Sequence, residues 1–451
     1  MKSLFIIFIC LLIVSCSFDN KTGIWKDASN IPVETQDVIS IGTNDLENRY
    51  EDIFIKNKLF NKEKKSLDNS VLKLDPPIRK ENWIQQYASL TNNVSNFSYE
   101  GDRRLISKSS KLSRAPLGKD ILFYKNNLIT HDQKGKIFIY SLGLKKKIYE
   151  YNFYKKKFKN IEKRIHLILS DNTLYAADNL GYIYAIDLTS RSLTWAKNYG
   201  IPFRSNLKIV NDQIFLANQD NVIYSINVKN GEKNWQYATG NTFLKSDFYN
   251  NFAIDILNKA LLFLNTSGEL YSINYITQKI EWILNFKNTS FSGDADLFLS
   301  QPIVLKNNNL IISTEKALLN YDIISGSKNW SFPSDSSLKP IATNNYIFLL
   351  SEKNLLICID NKSGEVLWSR NIYTNQKIQK ISKKVGKFYD FNIANSTLNV
   401  FSSNGYLLSF NHKNGNLDFI KKISKKGINS EVVFHKGNMF LIDSNKKLLK
   451  F

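Results

Sequence analysis

The sequence predicts an all-β chain folded as an eight-bladed β-propeller of four-stranded antiparallel blades, its last blade closed by both termini. Three observations lead there. A fifteen-residue unit recurs seven times without a gap. A second pair of short apolar stretches precedes each copy, and the final copy breaks off before its fourth strand. Tandem four-stranded units of this kind cannot bury both faces alone, so they must pack face to face around an axis.

The chain opens with MKSLFIIFICLLIVSCS, in which Lys2 precedes an apolar run from Leu4 to Val14. A run this short cannot cross a bilayer permanently, which takes about 20 apolar residues, and it reads as an export signal over residues 1–15. Ile13-Val14-Ser15-Cys16 resembles the bacterial lipobox, which makes Cys16 the lipidation site; an ordinary signal peptide cut a few residues later is the other reading. Residues 16–77 are polar, close on Asp75-Pro76-Pro77, and read as a lipid-anchored tether. Residues 78–451 are expected to form the propeller.

Cys10 lies in the removed signal and Cys16 carries the anchor, which leaves Cys358 of the three cysteines in the mature chain. No internal disulfide can form, so an exported protein of this kind must rely on a large core. A content of 43% apolar and 13% aromatic residues supplies one. Cys358, within NLLICID, reads as a buried structural thiol.

The repeat itself runs GYIYAIDLTSRSLTW to Trp195, NVIYSINVKNGEKNW to Trp235, GELYSINYITQKIEW to Trp282, KALLNYDIISGSKNW to Trp330 and NLLICIDNKSGEVLW to Trp368. Tyr149 and Phe419 stand in the tryptophan position of two further copies. Residues such as Ile183, Ala185 and Asp187 alternate with Tyr182, Tyr184 and Ile186, the period of a strand with two unlike faces. Lys229-Asn230-Gly231 and Lys362-Ser363-Gly364 then supply a tight turn. Each copy is a hairpin, and LKIVNDQIFLANQD before the copy at 221 is another, divided at Asn211-Asp212.

At the C-terminus KKLLKF aligns with the third strand GYLLSF and stops at Phe451. Trp83 stands outside the seven copies, and its WIQQYA resembles WQYATG after Trp235. Residues near 82–90 are therefore expected to supply the missing outer strand.

A strand, Gly or Ser at the turn and Trp four residues on resembles the quinoprotein-type (PQQ-like) propeller repeat. Together with the lipobox, the blade count and the composite last blade, the region 78–451 resembles the BamB family, lipoproteins of the outer-membrane β-barrel assembly machinery. The resemblance implies structural docking between blades for Trp83, Trp195, Trp235, Trp282, Trp330 and Trp368. It implies a non-catalytic scaffold on the periplasmic face of the outer membrane, anchored through its lipid. Its partners would be a BamA-like barrel-inserting subunit and unfolded outer-membrane proteins. The family's acidic partner loop has its nearest match in Asp294-Ala295-Asp296, with Phe243, Leu244 and Lys245 in the preceding inter-blade loop. Asp294 and Asp296 have a second reading, as turn residues satisfying backbone amides.

The same repeat occurs in quinone-dependent dehydrogenases, which need calcium and a catalytic aspartate. Calcium wants several converging oxygens, whereas Asp294 and Asp296 are the only close acidic pair in the mid-ring loops. The histidines His131, His166, His412 and His435 show no metal-ligand spacing. No catalytic residue, metal or cofactor is expected; another envelope protein or a polysaccharide is the alternative ligand class. The formal charge of +21 raises nucleic acid, but export argues against it. Basic runs at 145–164 and 421–427 suit either anionic headgroups or solvated loops.

Overall fold

In the computed structural model the described residues are 16–19, 24–27, 49–50, 58–66, 72–154, 158–240, 251–286 and 298–451. Cys16–Asp19 and Ile24–Asp27 pair as a small hairpin within a separate unit of residues 1–40. The rest of the described chain forms eight sheets of four antiparallel blade strands, in sequence order in seven of them as expected, and Arg49–Tyr50 adds a fifth, parallel strand beside Ile280–Asn285. Blade 1 spans Leu117–Tyr124 to Lys146–Asn152, and blade 2 spans Ile165–Ser170 to Ser192–Asn198. Blades 3 to 7 begin at Lys208–Val210, Asn251–Asp255, Val304–Lys306, Ile341–Ala342 and Phe388–Ala394. Blade 8 holds Val433–His435, Asn438–Ile442 and Leu448–Lys450.

Blade 8 is closed from the N-terminal side, but by a different segment from the one expected. Its fourth strand is Ser107–Lys108, paired with Leu449 and Lys450. The pairing is extended by Ile106 N–H to Lys450 O at 2.8 Å and Ser109 N–H to Leu448 O at 2.9 Å. Residues 82–90 cannot serve as an outer strand, because Tyr87 and Ala88 carry φ of 59° and 57° and turn the chain back on itself. Trp83 instead bridges Phe123 in the innermost strand of blade 1, through N–H···O bonds of 2.7 and 2.8 Å.

Residues 78–100 cross the ring's centre and bond to the innermost strand of every blade. Ile84 O accepts from Leu169 N–H, Leu90 O from Ile254 N–H, and Thr91 O from Leu305 N–H. Asn93 Nδ2 donates to Ala342 O, Phe97 N–H to Ile393 O, and Lys80 O accepts from Lys436 N–H. Blade 3 joins through Lys208, whose ammonium donates to Ser89 O and Asn92 Oδ1, both at 2.7 Å. Most of these contacts fall at or just past the C-terminal ends of the inner strands. All inner strands run the same way along the axis, so the segment is a plug across one mouth of the central channel.

The core is a necklace of junctions between blades. Separate apolar clusters fill the junctions from blades 1 and 2 through to blades 6 and 7, for example Leu262, Leu284, Ile303 and Ile312 between blades 4 and 5. The last cluster joins blades 7, 8 and 1, and Trp83, Phe97 and Tyr99 of the plug lie within it. Trp83 stacks on Phe97 at 5.5 Å and Phe97 on Phe434 at 4.8 Å. Upstream of the plug, Lys64 bridges Ser369, Phe60 packs on Phe332 at 5.2 Å, and Asp75 pairs with Lys306 at 2.7 Å. Described parts of residues 58–77 therefore lie along blades 5 to 7.

Lys208 is fully buried, with its ammonium bonded to uncharged acceptors. Burial pushes its pKa down to about 7. The unfolded chain then holds a proton that the folded chain gives up as pH rises from about 7 to 10, so folding should strengthen across that window. Lys208 alone should contribute about 2 kcal/mol of gain between pH 7 and 9, and Lys208→Met should remove that part of the pH dependence, as read from urea unfolding at each pH.

Candidate functional site

Three places could carry function: the junctions that hold neighbouring blades, the loops on the face where inner strands begin, and the channel interior behind the plug. The junctions follow from a small irregularity repeated around the ring. In seven blades the pairing of third and fourth strands slips by one residue, next to the position opposite the repeat aromatic. Trp195 faces Ala185, Trp330 faces Asn320 and Trp368 faces Cys358, each just before the slip. A bulge re-aims the side chain beside it, and here it turns the aromatic toward the next blade.

The receiving surface is the outer hairpin turn of that blade. Trp195 Nε1 donates to Val228 O at 3.0 Å, Trp282 to Ile323 O at 2.9 Å, Trp330 to Asn361 O at 2.9 Å and Trp368 to His412 O at 3.0 Å. Three residues after each carbonyl stands a glycine under the ring: a Cβ at Gly364 would come within 2.7 Å of Trp330, and one at Gly415 within 2.5 Å of Trp368. Trp235 meets a turn with Gln278 in that place, and its buried Nε1 has no partner among the described residues. Phe419 has no following hairpin to meet; the guanidinium of Arg103 lies over its ring at 4.2 Å, just ahead of the closing strand.

A second repeated device escaped sequence reading. The turn between second and third strands is held by a buried side-chain oxygen at its first residue. Asp178 Oδ1 accepts from Leu180 and Tyr182 N–H, and Asn218 and Asn265 accept in the same way from residues two and four ahead. Asp132, Asp178, Asn218 and Asn265 share this place with Thr314, Ser351 and Ser402, so residue type alone conceals it.

Phe243, Leu244, Lys245, Asp294 and Asp296 lie outside the described residues. Their segments join the fourth strand of blade 3 to blade 4 and that of blade 4 to blade 5. The described residues that flank these connections, such as Gly240, lie on the face where inner strands begin, opposite the plug. On that face Glu269 accepts from Gly240 N–H at 2.8 Å and Asn265 Nδ2 at 2.9 Å. Of the basic runs, Lys421, Lys422, Lys425 and Lys426 are exposed.

The channel interior on the same side of the plug is a well of about 320 Å³, floored by Gln86 and Tyr87. Its wall comes from the beginnings of inner strands: Asp120 of blade 1, Pro302 before blade 5, Lys339 before blade 6, Asp390 of blade 7 and Glu431 before blade 8. Burial pushes Asp390 up to about 6 and Glu431 well above the usual carboxylate range, with Asp120 and Asp390 adding to the latter. Lys339 is pushed down to about 8 by burial, against the pull of Asp390 and Glu431. His166 Nδ1 lies 3.5 Å from Asp120 Oδ2, and His131 is buried nearby with its pKa lowered, first by desolvation. His435 Nε2 lies 3.1 Å from Lys125 O. Cys358 is fully buried, and burial drives its thiol pKa up.

Among the described residues no three His, Cys, Asp or Glu side chains are grouped to hold a metal ion. The well presents the lysine Lys339 among its carboxylates, so these residues do not fit a calcium-bound quinone.

A family model described as outer membrane protein assembly factor BamB matches residues 156–370, which are most of blades 2 to 6. An assembly factor BamB of Moranella endobia is 19% identical over 271 residues, 55% of this chain and 64% of that protein. The Yersinia pestis BamB is 19% identical over 222 residues, 44% of this chain and 54% of that protein. The chain thus spans somewhat under two thirds of the curated relatives it matches first. An uncharacterised protein of Rickettsia conorii is 20% identical over 346 residues, 74% of this chain and 82% of that protein. Among solved structures, BamB from Moraxella catarrhalis superposes with a TM-score of 0.60 at 13% identity, covering 77% of this chain and 98% of that one. A europium-containing methanol dehydrogenase reaches 0.56 at 11% identity over 80% and 89%.

Trp368 is fully buried and Trp195 half-buried. Trp368→Ala should cost about 3–5 kcal/mol and Trp195→Ala clearly less, an order that urea midpoints of the two variants will test.

Proposed function

We propose that this chain, a BamB-like propeller of PQQ-type repeats, is a non-catalytic lipoprotein scaffold of the outer-membrane protein assembly machinery. It is anchored through Cys16 to the periplasmic face of the outer membrane. There it binds a BamA-like barrel-inserting subunit and aids insertion of unfolded outer-membrane proteins. The observation that carries this reading is the match of most of blades 2 to 6 to the assembly-factor model. The ring supports it: a core distributed over blade junctions leaves the loops on its faces free of structural duty, which is where a scaffold binds.

Partner contact is assigned to Phe243, Leu244, Lys245, Asp294 and Asp296, in the connections from blade 3 to blade 4 and from blade 4 to blade 5. In such an interface an apolar pair supplies burial while charges set register, and a few central residues dominate the affinity. The dehydrogenase reading has the fold in its favour, but the ligand groups in the well oppose it.

Cys16→Ser should move the protein from the outer-membrane fraction to the soluble periplasm; sedimentation with membranes after a salt wash would exclude the lipid as its anchor. Alanine at all five loop positions should weaken binding to the barrel-inserting subunit at least about tenfold, or 1.4 kcal/mol, with an unchanged melting temperature. Co-purification from solubilised outer membrane reads the same question in the wild type, where recovery of other proteins without that subunit would overturn the assignment.

A further inference from the structure

The well narrows against the plug into a recess of about 40 Å³, and the two spaces share Tyr87, Lys339, Asp390, Phe391 and Glu431. The amide of Asn392 sits on this recess. It is 6% exposed, and neither Oδ1 nor Nδ2 has a hydrogen-bond partner among the described residues. A buried amide without partners is costly, and native proteins keep such groups where something else meets them. Asn392 presents a donor and an acceptor to the same small space.

The charges around it are placed but incompletely matched. Asp390 spends its two oxygens on the N–H groups of Phe391 and Val432, each at 2.7 Å, which fixes the carboxylate in position. Among the described residues Lys339 makes one hydrogen bond, 3.5 Å to the carbonyl of its neighbour Pro340, and lies 5.3 Å from the Tyr87 ring centroid. Its ammonium therefore has donor capacity left. Glu431 accepts from the plug at the Tyr87 backbone and feels the repulsion of Asp120 and Asp390. Tyr87, Tyr389, Phe391, Leu338 and Pro302 supply an apolar and aromatic wall.

We propose that this well is a binding site for a small zwitterion, a free amino acid or dipeptide with an apolar side chain. Its ammonium lies toward Glu431 and Asp120, its carboxylate toward Lys339 and the Asn392 amide, and its side chain against the Tyr87, Tyr389 and Phe391 rings. The ligand's ammonium meets carboxyl groups of the wall and its carboxylate the ammonium of Lys339. At about 320 Å³ the well is at the small end of ordinary ligand cavities, which limits the occupant to one or two residues. The proposal stands or falls independently of the scaffold reading.

Titration calorimetry on the full chain would use L-phenylalanine and glycyl-L-phenylalanine as probes, with phenethylamine and 3-phenylpropionate as their single-charge halves. One saturable site is expected for at least one zwitterion, at least tenfold tighter than for either half; which of the two binds tells the free amino acid from the peptide. Asn392→Leu and Lys339→Met should each weaken it at least tenfold. Asn392→Leu should keep or raise the melting temperature, since it removes an unpartnered polar group. Should that variant fail to fold, Lys339→Met, on the wall of the well, decides. Absence of saturable binding by both zwitterions overturns the proposal, as does equal binding of a half-molecule or wild-type affinity in both variants.

Discussion

Hydrogen bonds between the central segment and the inner strands hold this molecule in one piece. A propeller blade contacts only its two neighbours, so a ring of them is a chain of pairwise junctions with nothing to tie opposite sides together. Here residues 78–100 lie across the axis and reach every blade, mostly through backbone groups. Asn92 shows the arrangement in miniature: it is fully buried, donates to Phe252 O and Ile303 O in two blades and accepts from Lys208 in a third. The inner strand ends would otherwise present unpaired carbonyls and amides to the channel. The same segment floors the well, so one element both closes the ring's centre and defines the cavity behind it.

The outer perimeter is held by a different and more repetitive rule, and this was the part legible in the sequence. The fifteen-residue spacing, the turn glycine and the tryptophan four residues on all express one contact, an indole lying on the next blade's turn. Strand bulges opposite those aromatics leave no mark in residue type, because a bulge is a matter of count between paired strands. The truncated last unit announced a closure from the far end of the chain. Which segment closes it is not legible there, because WIQQYA matches a fourth strand in composition while Tyr87 and Ala88 take up left-handed backbone. The true closing strand is two residues long and too short to carry a pattern.

Nothing local marks the well either. Asp120, Lys339, Asp390 and Glu431 belong to four blades and are brought together by ring geometry alone. None has a motif around it, and the histidine that approaches Asp120, His166, lies in yet another blade. A site assembled by symmetry from one residue per repeat is invisible to spacing arguments, which look for ligands within a single element. This is also why the fold shared with quinone-dependent dehydrogenases says little about chemistry: the scaffold places one side chain per blade at the axis, and the identity of those few side chains decides what can bind.

The position of the plug in the chain sets an order of events. Its residues come before all eight blades, yet their partners are spread from Phe123 to Gly437. During synthesis the plug emerges before any blade and finds nothing to bind. Blades can form one after another from local hairpins, but the hub bonds accumulate only as each inner strand arrives. The closing strand must wait for Leu448–Lys450. Until then the aromatic cluster of Trp83, Phe97 and Tyr99 lacks Phe434 and Phe440 to cover it. The nascent chain therefore carries an exposed apolar segment for most of its length, and the completed ring is the first species in which that segment is sheltered.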